Sequence, residues 1–587
     1  MTTLVAQENQ IVQNELQKRV SLGELTTSDI TDWGIISEHV SRTSGVHHIY
    51  YRQQIDGIQI YGAEASVHQA QNGRMVASHS SFIKNAKDYV FGNRTPQLNA
   101  IQAVDRAAQQ LGLGGASARV VTTSNDVART TVLDASSISR SPIPAKLMYH
   151  YAEKGGMRLA WDLSIESIAT VNWWNVRIDA TTGELLDKVD WTVQCYSEED
   201  HVHDLSAAPK VSAAVEDTRC IEDDEAEAAF MGNYEVYAMP LESPAHGTMN
   251  RTIVANPDNG SAIGSPFGWH DTNGVIGNEF TTTRGNNVNA YEDGDNSGYA
   301  PDGGANLDFT IANPLEDFSV NTTYSATTQS EAAAVTNIFY WSNIIHDLFY
   351  VYGLDEAAGN FQENNYGNGG AGNDALRAEA QDGSGSCNAN MSTPGDGGSP
   401  RMQMYTCNSR DGDFDNGVVV HEYGHGISIR LTGGAGNSGC LSGAEQMGEG
   451  WSDWFALIMT IEAGDTGADA RGIGTWLFGQ APSGGGIRPQ PYSTDQAVNS
   501  QSYDNIITAT PPHGVGSVWS TILWEVTWAL IDDHGIDSDI YNFSGDTVQD
   551  AGNVQALALV VEGLKLQPCG PGFIDGRDAI IAADEAI

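Results

Sequence analysis

The strongest chemical signal in this chain is the run His421-Glu422-Tyr423-Gly424-His425. On a helix, histidines at positions i and i+4 share one face, so both imidazoles can reach a single ion. The β-branched run Val418-Val419-Val420 before the first histidine fits a buried helix that enters a cleft. Zinc suits such a pair, because imidazole is a good ligand for it and a catalytic site keeps one position open for water. Glu422 stands beside the ligands without being one, so it is placed to take a proton from an attacking water. A third ligand is still needed. Glu449, in Gly448-Glu449-Gly450-Trp451-Ser452-Asp453, opens a second apolar helix and completes a His-His-Glu set. Asp453, one turn on, shares its face and can orient a ligand histidine. The alternative for Glu449 is a carboxylate that merely complements the positive end of its helix.

The elements that must hold these residues read as an α+β chain. From Val418 onward the apolar spacing is helical over 418–431, 445–462, 517–533 and 554–564. Residues 233 to about 415 are rich in Gly, Asn, Asp and aromatics, a strand-and-loop pattern. One long helix is embedded there, with Ala333, Ile338, Trp341, Ile345, Leu348 and Tyr352 among its apolar positions. In the first 195 residues Asp56-Gly57 is a hairpin signal between two strand-like runs. Thr95-Pro96 reads as the start of a helix that carries Leu98, Ile101, Val104, Ala108 and Leu111 and ends at Gly112. Strand-like runs follow at 147–151, 158–165 and 172–178, with a turn near Gly183. Between Cys195 and Glu227 the composition turns acidic, as in an exposed linker open to proteolysis. No internal repeat is evident.

Bulk properties narrow the function further. A chain of 587 residues is long for a single core, and 40% apolar residues suffice for globular folding. The formal charge of −46 argues against nucleic acid or anionic lipid as a partner, since both need basic patches. Six cysteines, none in a Cys-x-x-Cys pair, fit disulfides in an oxidising compartment better than a zinc ribbon or redox motif. The first residues show no basic and apolar leader. No run approaches the roughly 20 apolar residues of a membrane span.

Beyond the zinc motif, several ordered segments resemble the fungalysin-type metallopeptidases, distant relatives of thermolysin in the gluzincin group. They are Gly285-Asn-Asn-Val, Asn337-Ile-Phe-Tyr-Trp-Ser-Asn-Ile-Ile-His-Asp, Gly359-Asn-Phe-Gln, Ala380-Gln-Asp-Gly-Ser-Gly, Asn388-Ala-Asn, Arg401-Met-Gln-Met-Tyr, Glu449-Gly-Trp-Ser-Asp and Lys565-Leu-Gln-Pro-Cys. Residues 40–190 resemble, more weakly, the propeptide modules of such enzymes. The resemblance implies a thermolysin-like catalytic region of two lobes, 233–430 ending in the zinc helix and 431–587 mainly helical. It also implies a propeptide over 1–195 and an activation segment over 196–232. A secreted, monomeric zymogen follows, acting on protein or peptide substrates, inhibited by its own propeptide, and preferring a hydrophobic residue after the scissile bond. The family continues into a further helix past the position of Ile587.

Individual residues take roles from the same resemblance. His513 matches a histidine that hydrogen-bonds the oxyanion; the alternative is a helix-capping or buried histidine. Asn388, Ala389 and Asn390 match an edge strand that pairs with substrate backbone, or else form a plain loop. Disulfides Cys387–Cys407 and Cys440–Cys569 are expected, leaving Cys195 with Cys220 in the linker. Asp293, Asp295 and Asp302 could bind calcium but lack EF-hand spacing, and turn formation competes with that role. His346-Asp347 is expected to satisfy itself inside the fold. Two departures stand out: Gly448 replaces a supporting Asn, and no tyrosine between His425 and Glu449 offers a second oxyanion donor. The rival readings are an inactive peptidase-like scaffold and a zinc hydrolase for non-peptide substrates.

Overall fold

Alternating apolar and polar residues build the N-terminal region into sheet. The computed structural model describes residues 2–152, 156–195, 232–247, 251–257, 264–310, 328–408 and 410–587. Helix α1 (Thr2–Ser21) leads into strands β1 (Trp33–Val40), β2 (His47–Ile55), β3 (Ile58–Gln69) and β4 (Met75–Ser80). Positive φ at Asp56 and Gly57 makes the expected tight turn between β2 and β3. Helix α2 (Ala100–Leu111) follows, then β5 (Arg119–Thr123), β6 (Thr131–Asp134), β7 (Ile143–Ala152), β8 (Gly156–Glu166), β9 (Trp173–Asp179) and β10 (Leu185–Asp190). These ten strands form one sheet, in which β3 runs parallel to β7 and so joins the two modules.

Helix α2 starts later than Thr95-Pro96. The Asn99 side chain accepts from the Gln102 backbone and Gln102 reaches back, a reciprocal cap. The amides of Gln97 and Leu98 instead donate to Ala180 O, which ties that stretch to the sheet.

β11 (Thr192–Gln194) leaves the first sheet and becomes the edge of a second. Its other strands are β14 (Val288–Glu292), β15 (Leu376–Ala380), β16 (Ala389–Ser392) and β17 (Arg401–Met404), in the order β11-β16-β17-β15-β14, while β12 (Asn233–Val236) and β13 (Thr252–Ala255) form a separate antiparallel pair. Helix α3 (Thr328–Val351) packs across β14 and β15. Further helices follow: α4 (Asn416–Leu431), α5 (Gly448–Met459), α6 (His513–His534), α7 (Gly552–Leu566) and α8 (Phe573–Asp584). One continuous apolar cluster runs from Cys195 and Tyr234 through α3, α4, α5 and α6 to Phe573. The chain is therefore mixed α+β, strand-rich at its N-terminal end and helical at its C-terminal end.

The N-terminal sheet docks on α7 through a buried carboxylate. Glu562 accepts from Ser41 Oγ (2.7 Å) and Ser44 Oγ (2.6 Å) and lies 3.1 Å from both His48 Nε2 and Lys565 Nζ. Tyr50 Oη donates to Lys565 O at 2.8 Å. His48 Nδ1 is 2.8 Å from His68 Nδ1, and the His39 ring stacks on His48. His47, His79, Tyr50 and Asp355 are further ionisable groups around this contact, with Asp575 and Arg19 near His79. Burial, chiefly, drives His39, His48 and His68 below their ordinary value, with Lys565 and neighbouring imidazoles adding to it and Glu562 opposing. Glu562 is held well below the carboxylate range; burial alone would raise it, but Lys565 and His48 outweigh burial.

The sign follows directly. Histidines with depressed folded-state values stabilise fully above the ordinary value of 6.5, and that contribution is lost as pH falls below it. Each contributes a loss of up to about 1.4 kcal/mol per pH unit. Glu562 adds its own loss only at lower pH, as its depressed value is passed. After a single cut between the two regions, gel filtration should show the N-terminal fragment bound at about pH 8 and increasingly released toward about pH 5. Equal retention across that range would contradict this account.

Candidate active site

Helix α4 is buried along its whole length. Its first residue anchors it: Asn416 Nδ2 donates to Tyr237 O (3.1 Å) and Leu241 O (2.7 Å), and its Oδ1 accepts from Asn337 Nδ2 (2.8 Å). On one face of α4 the Nε2 atoms of His421 and His425 stand 3.1 Å apart. Gly424, between them, lets α5 come close, because a Cβ there would lie 3.0 Å from Ser452 Cα. That approach brings Glu449 to the histidines, with Oε2 3.4 Å from His421 Nε2 and Oε1 3.7 Å from His425 Nε2. A second close approach sets α6, where a Cβ on Gly450 would stand 2.3 Å from Gly516 O. His513, on the first turn of α6, thereby has Nε2 3.5 Å from Glu449 Oε1.

The site is a buried ionic knot. Asp453 Oδ1 lies 2.8 Å from His421 Nδ1, which directs that ring's Nε2 toward the centre. Arg488 spans both carboxylates: Nη2 is 2.9 Å from Glu449 Oε2, and Nε is 2.6 Å from Asp453 Oδ2. Tyr492 Oη also donates to Asp453. Burial alone would raise both carboxyls. For Glu449 the opposing His425, His421, His513 and Arg488 win, and for Asp453 Arg488 and His421 win, so both sit below the carboxylate range. Burial instead pushes Glu422 up to about 8 and His425 down to about 3.

The edge of β16 is taken by the chain itself. β11 pairs antiparallel with it, Thr192 opposite Ser392, Val193 opposite Met391 and Gln194 opposite Asn390. Cys195 N donates to Ala389 O at 3.2 Å. Gln194 O accepts from His513 Nε2 (2.9 Å), and Cys195 O accepts from Arg488 Nη1 (2.9 Å). Asn388 Nδ2 reaches the Gln194 side chain at 3.5 Å, and Asn390 Nδ2 donates to Tyr405 Oη. The side chains of His421, Glu422, His425, Glu449, Asp453 and His513 thus meet where a peptide segment already runs.

Elsewhere the expectations divide. Disulfides Cys387–Cys407 and Cys440–Cys569 are both formed. The expected Cys195–Cys220 pair is corrected in its first half: Cys195 is a free, buried thiol, carried into the cleft by β11, while Cys220 lies outside the described residues. His346 contacts Asp347 (3.0 Å) and Asn360 (3.2 Å), and Asp347 accepts from Ser265 Oγ and Trp269 Nε1, so that pair is satisfied internally. Asp295 and Asp302 close turns by accepting from the amides of Ser297 and Gly304. Asp293 faces Glu379 and Asp382, where Arg401 already supplies a cation. Arg488 and Tyr492 escaped the sequence reading; the only signal was an isolated arginine and tyrosine in the proline-glycine run Gly486-Ile-Arg-Pro-Gln-Pro-Tyr492.

The donor set fits a divalent metal ion. Two imidazole Nε2 atoms and a carboxylate converge, all buried, and Glu449 Oε1 and both Glu422 oxygens have no hydrogen-bond partner. Buried acceptors turned toward two imidazoles are the donor types a divalent cation takes.

Comparison with known proteins gives the same direction. A family described as fungalysin metallopeptidase (M36) matches residues 233–587, and a fungalysin/thermolysin propeptide motif matches residues 31–82. Extracellular metalloproteinase 2 of Trichophyton tonsurans is 34% identical over 573 residues, covering 94% of this chain and 80% of the relative. Extracellular metalloproteinase MEP of Leptosphaeria maculans is 35% identical over 567 residues, with the same coverage. Among solved structures, the Bacillus megaterium YpeB C-terminal domain matches 31% of this chain and 64% of its own at 10% identity, with a TM-score of 0.17, too low to support any argument.

Arg488→Met should leave two buried carboxylates short of their cation. The expected loss is about 3–5 kcal/mol in denaturant unfolding, and an unchanged midpoint would show that the knot does not depend on Arg488.

Proposed function

The chain belongs to the fungalysin metallopeptidases, and from that premise we propose that it is a secreted zinc endopeptidase made as a zymogen. The observation that carries the reading is the convergence of His421, His425 and Glu449 beside a peptide segment paired with β16. In this reading residues 1–195 are the propeptide and 196–232 hold the activation cut, with 196–231 outside the described residues. Residues 233–430 and 431–587 are the two lobes of a thermolysin-like catalytic region. The relatives' names, extracellular metalloproteinases, support secretion.

Zinc held by His421, His425 and Glu449 supplies a Lewis acid that acidifies water and polarises the scissile carbonyl. Glu422 adjoins His421 on α4, and both its oxygens are unpartnered. In its ionised form it takes the proton of the attacking water at a carboxylate oxygen and passes it to the nitrogen of the leaving amine. His513 already donates to a peptide carbonyl in the cleft, Gln194 O, and the same Nε2–H stabilises the oxyanion as charge grows there. Arg488, at Cys195 O, positions the next carbonyl along, and Asp453 holds the His421 ring in register. Substrate backbone adds to β16 at Asn388, Ala389 and Asn390, where β11 now lies. The preference for a hydrophobic residue after the scissile bond rests on family resemblance; the pocket beside Arg488 and His513 is of mixed character, with Ile487, Pro489 and Val518 facing Gln490, Gln501 and Asn505.

The test uses processed enzyme and casein. Glu422→Gln should keep its metal and lose about 10²- to 10⁴-fold in kcat; wild-type turnover would refute the assigned base. His513→Ala should lose about 10²- to 10³-fold in kcat with KM little changed. A chelator should abolish cleavage and zinc should restore it, whereas chelator-resistant cleavage would remove the metal from the mechanism.

A further inference from the structure

The strand that fills the cleft lies in the register a substrate would take. His513 donates to Gln194 O and Arg488 to Cys195 O, the contacts assigned above to the scissile carbonyl and to the next one along. Gln194 therefore stands in the position before the scissile bond, with Val193 second and Thr192 third. In an antiparallel pair, opposite residues share a face, and the face alternates along the strand. Gln194 lies opposite Asn390 and Thr192 opposite Ser392. Val193 and Met391 take the other face, where Met391 joins the core. The face that meets the first and third residues is polar, and β17 continues it with Gln403 beside Asn390 and Arg401 beside Ser392. Asn390 and Ser392 are both buried.

Each of these two side chains has a definite hydrogen-bonding need. The Asn390 amide donates to Tyr405 Oη, and its Oδ1 has no partner. Gln194 leaves that acceptor unfilled, because its own carboxamide oxygen turns to Asn388 Nδ2 at 3.5 Å. Ser392 Oγ stands 2.7 Å from Thr192 Oγ1. The Thr192 hydroxyl donates to Val171 O at 3.1 Å, so Ser392 is the donor in their contact. We propose that Asn390 and Ser392 set the specificity before the scissile bond. The first residue supplies an N–H or O–H to Asn390 Oδ1, and the third supplies an oxygen to Ser392. This rests on the zinc endopeptidase reading above and adds side-chain selection to the backbone pairing at β16. An apolar first residue would cover Asn390 Oδ1 and leave it unsatisfied, and an apolar third residue would do the same to the Ser392 hydroxyl. A buried polar group left without a partner costs more than an ordinary hydrogen bond contributes. Glutamine thus suits the first position and threonine the third.

Processed enzyme and a matched set of internally quenched peptides test this, with near-isosteric changes that remove only the hydrogen bond. The parent peptide carries Thr-Val-Gln before the scissile bond and Leu after it. Replacing its Gln by Leu, or its Thr by Val, should each lower kcat/KM by about five- to thirtyfold, with mass spectrometry placing the cut at the same bond. Asn390→Leu should remove the preference for Gln over Leu and keep that for Thr over Val. Ser392→Ala should do the reverse, so each variant controls for the other, and the wild-type comparison stands without either. Equal or better cleavage of the Leu or the Val peptide by the wild-type enzyme would overturn the assigned selectivity and leave the zinc site standing. Preferences that survive both substitutions would overturn it as well. If no peptide is cut, or if cleavage resists a chelator, the peptidase reading fails and this inference with it.

Discussion

Helices α4, α5 and α6 meet at glycines, and the functional geometry depends on that contact. Gly424 admits the Ser452 backbone, and Gly450 and Gly516 admit each other, so three helices approach more closely than side chains would allow. The candidate site residues sit within a turn of these contacts: His421 and His425 around Gly424, Glu449 beside Gly450, His513 one turn before Gly516. Any larger residue at the crossings would move a ligand away from its partners. In a packed interior such a shift cannot be absorbed locally.

Close packing alone would leave buried charges in conflict, and Arg488 resolves much of it. Its guanidinium bridges Glu449 and Asp453, and a third hydrogen bond reaches the carbonyl of Cys195. One side chain thus holds Glu449, the carboxylate behind His421, and the peptide in the cleft. The same buried ionic arrangement recurs where the N-terminal sheet meets α7, with Glu562 between Lys565 and His48. Both contacts bind the N-terminal region to the helical end of the chain. One lies at the chemistry and the other lies outside it, on β1–β4 and α7.

Much of the site was legible in the sequence because its signals are local. Two histidines one turn apart, an adjoining glutamate, and a Glu/Asp pair one turn apart each need only a helix to have meaning. The long helix and the hairpin at Asp56-Gly57 were readable for the same reason. The start of α2 was misread, because hydrogen bonds from Gln97 and Leu98 to Ala180 override the Thr-Pro signal. Arg488 and Tyr492 were missed, since their partners lie on an element distant in sequence and nothing in their own neighbourhood marks them. Cys195 was misassigned because its acidic surroundings suggest a linker, while three residues of strand pairing carry it inside.

The sequence by itself determined the residue types of the candidate site, their spacing on helices, the two expected disulfide pairs, and the α+β order of the chain. These follow from periodicity and from residue chemistry, which are properties of neighbours along the backbone. The tertiary structure alone decided that α5 and α6 deliver Glu449 and His513 to the α4 histidines, that Arg488 binds the carboxylates together, and that Gln194 and Cys195 lie in the cleft. Those are contacts across tens to hundreds of residues. They exist only where glycine crossings, strand pairing and buried charge are satisfied together, and no single stretch of sequence encodes them.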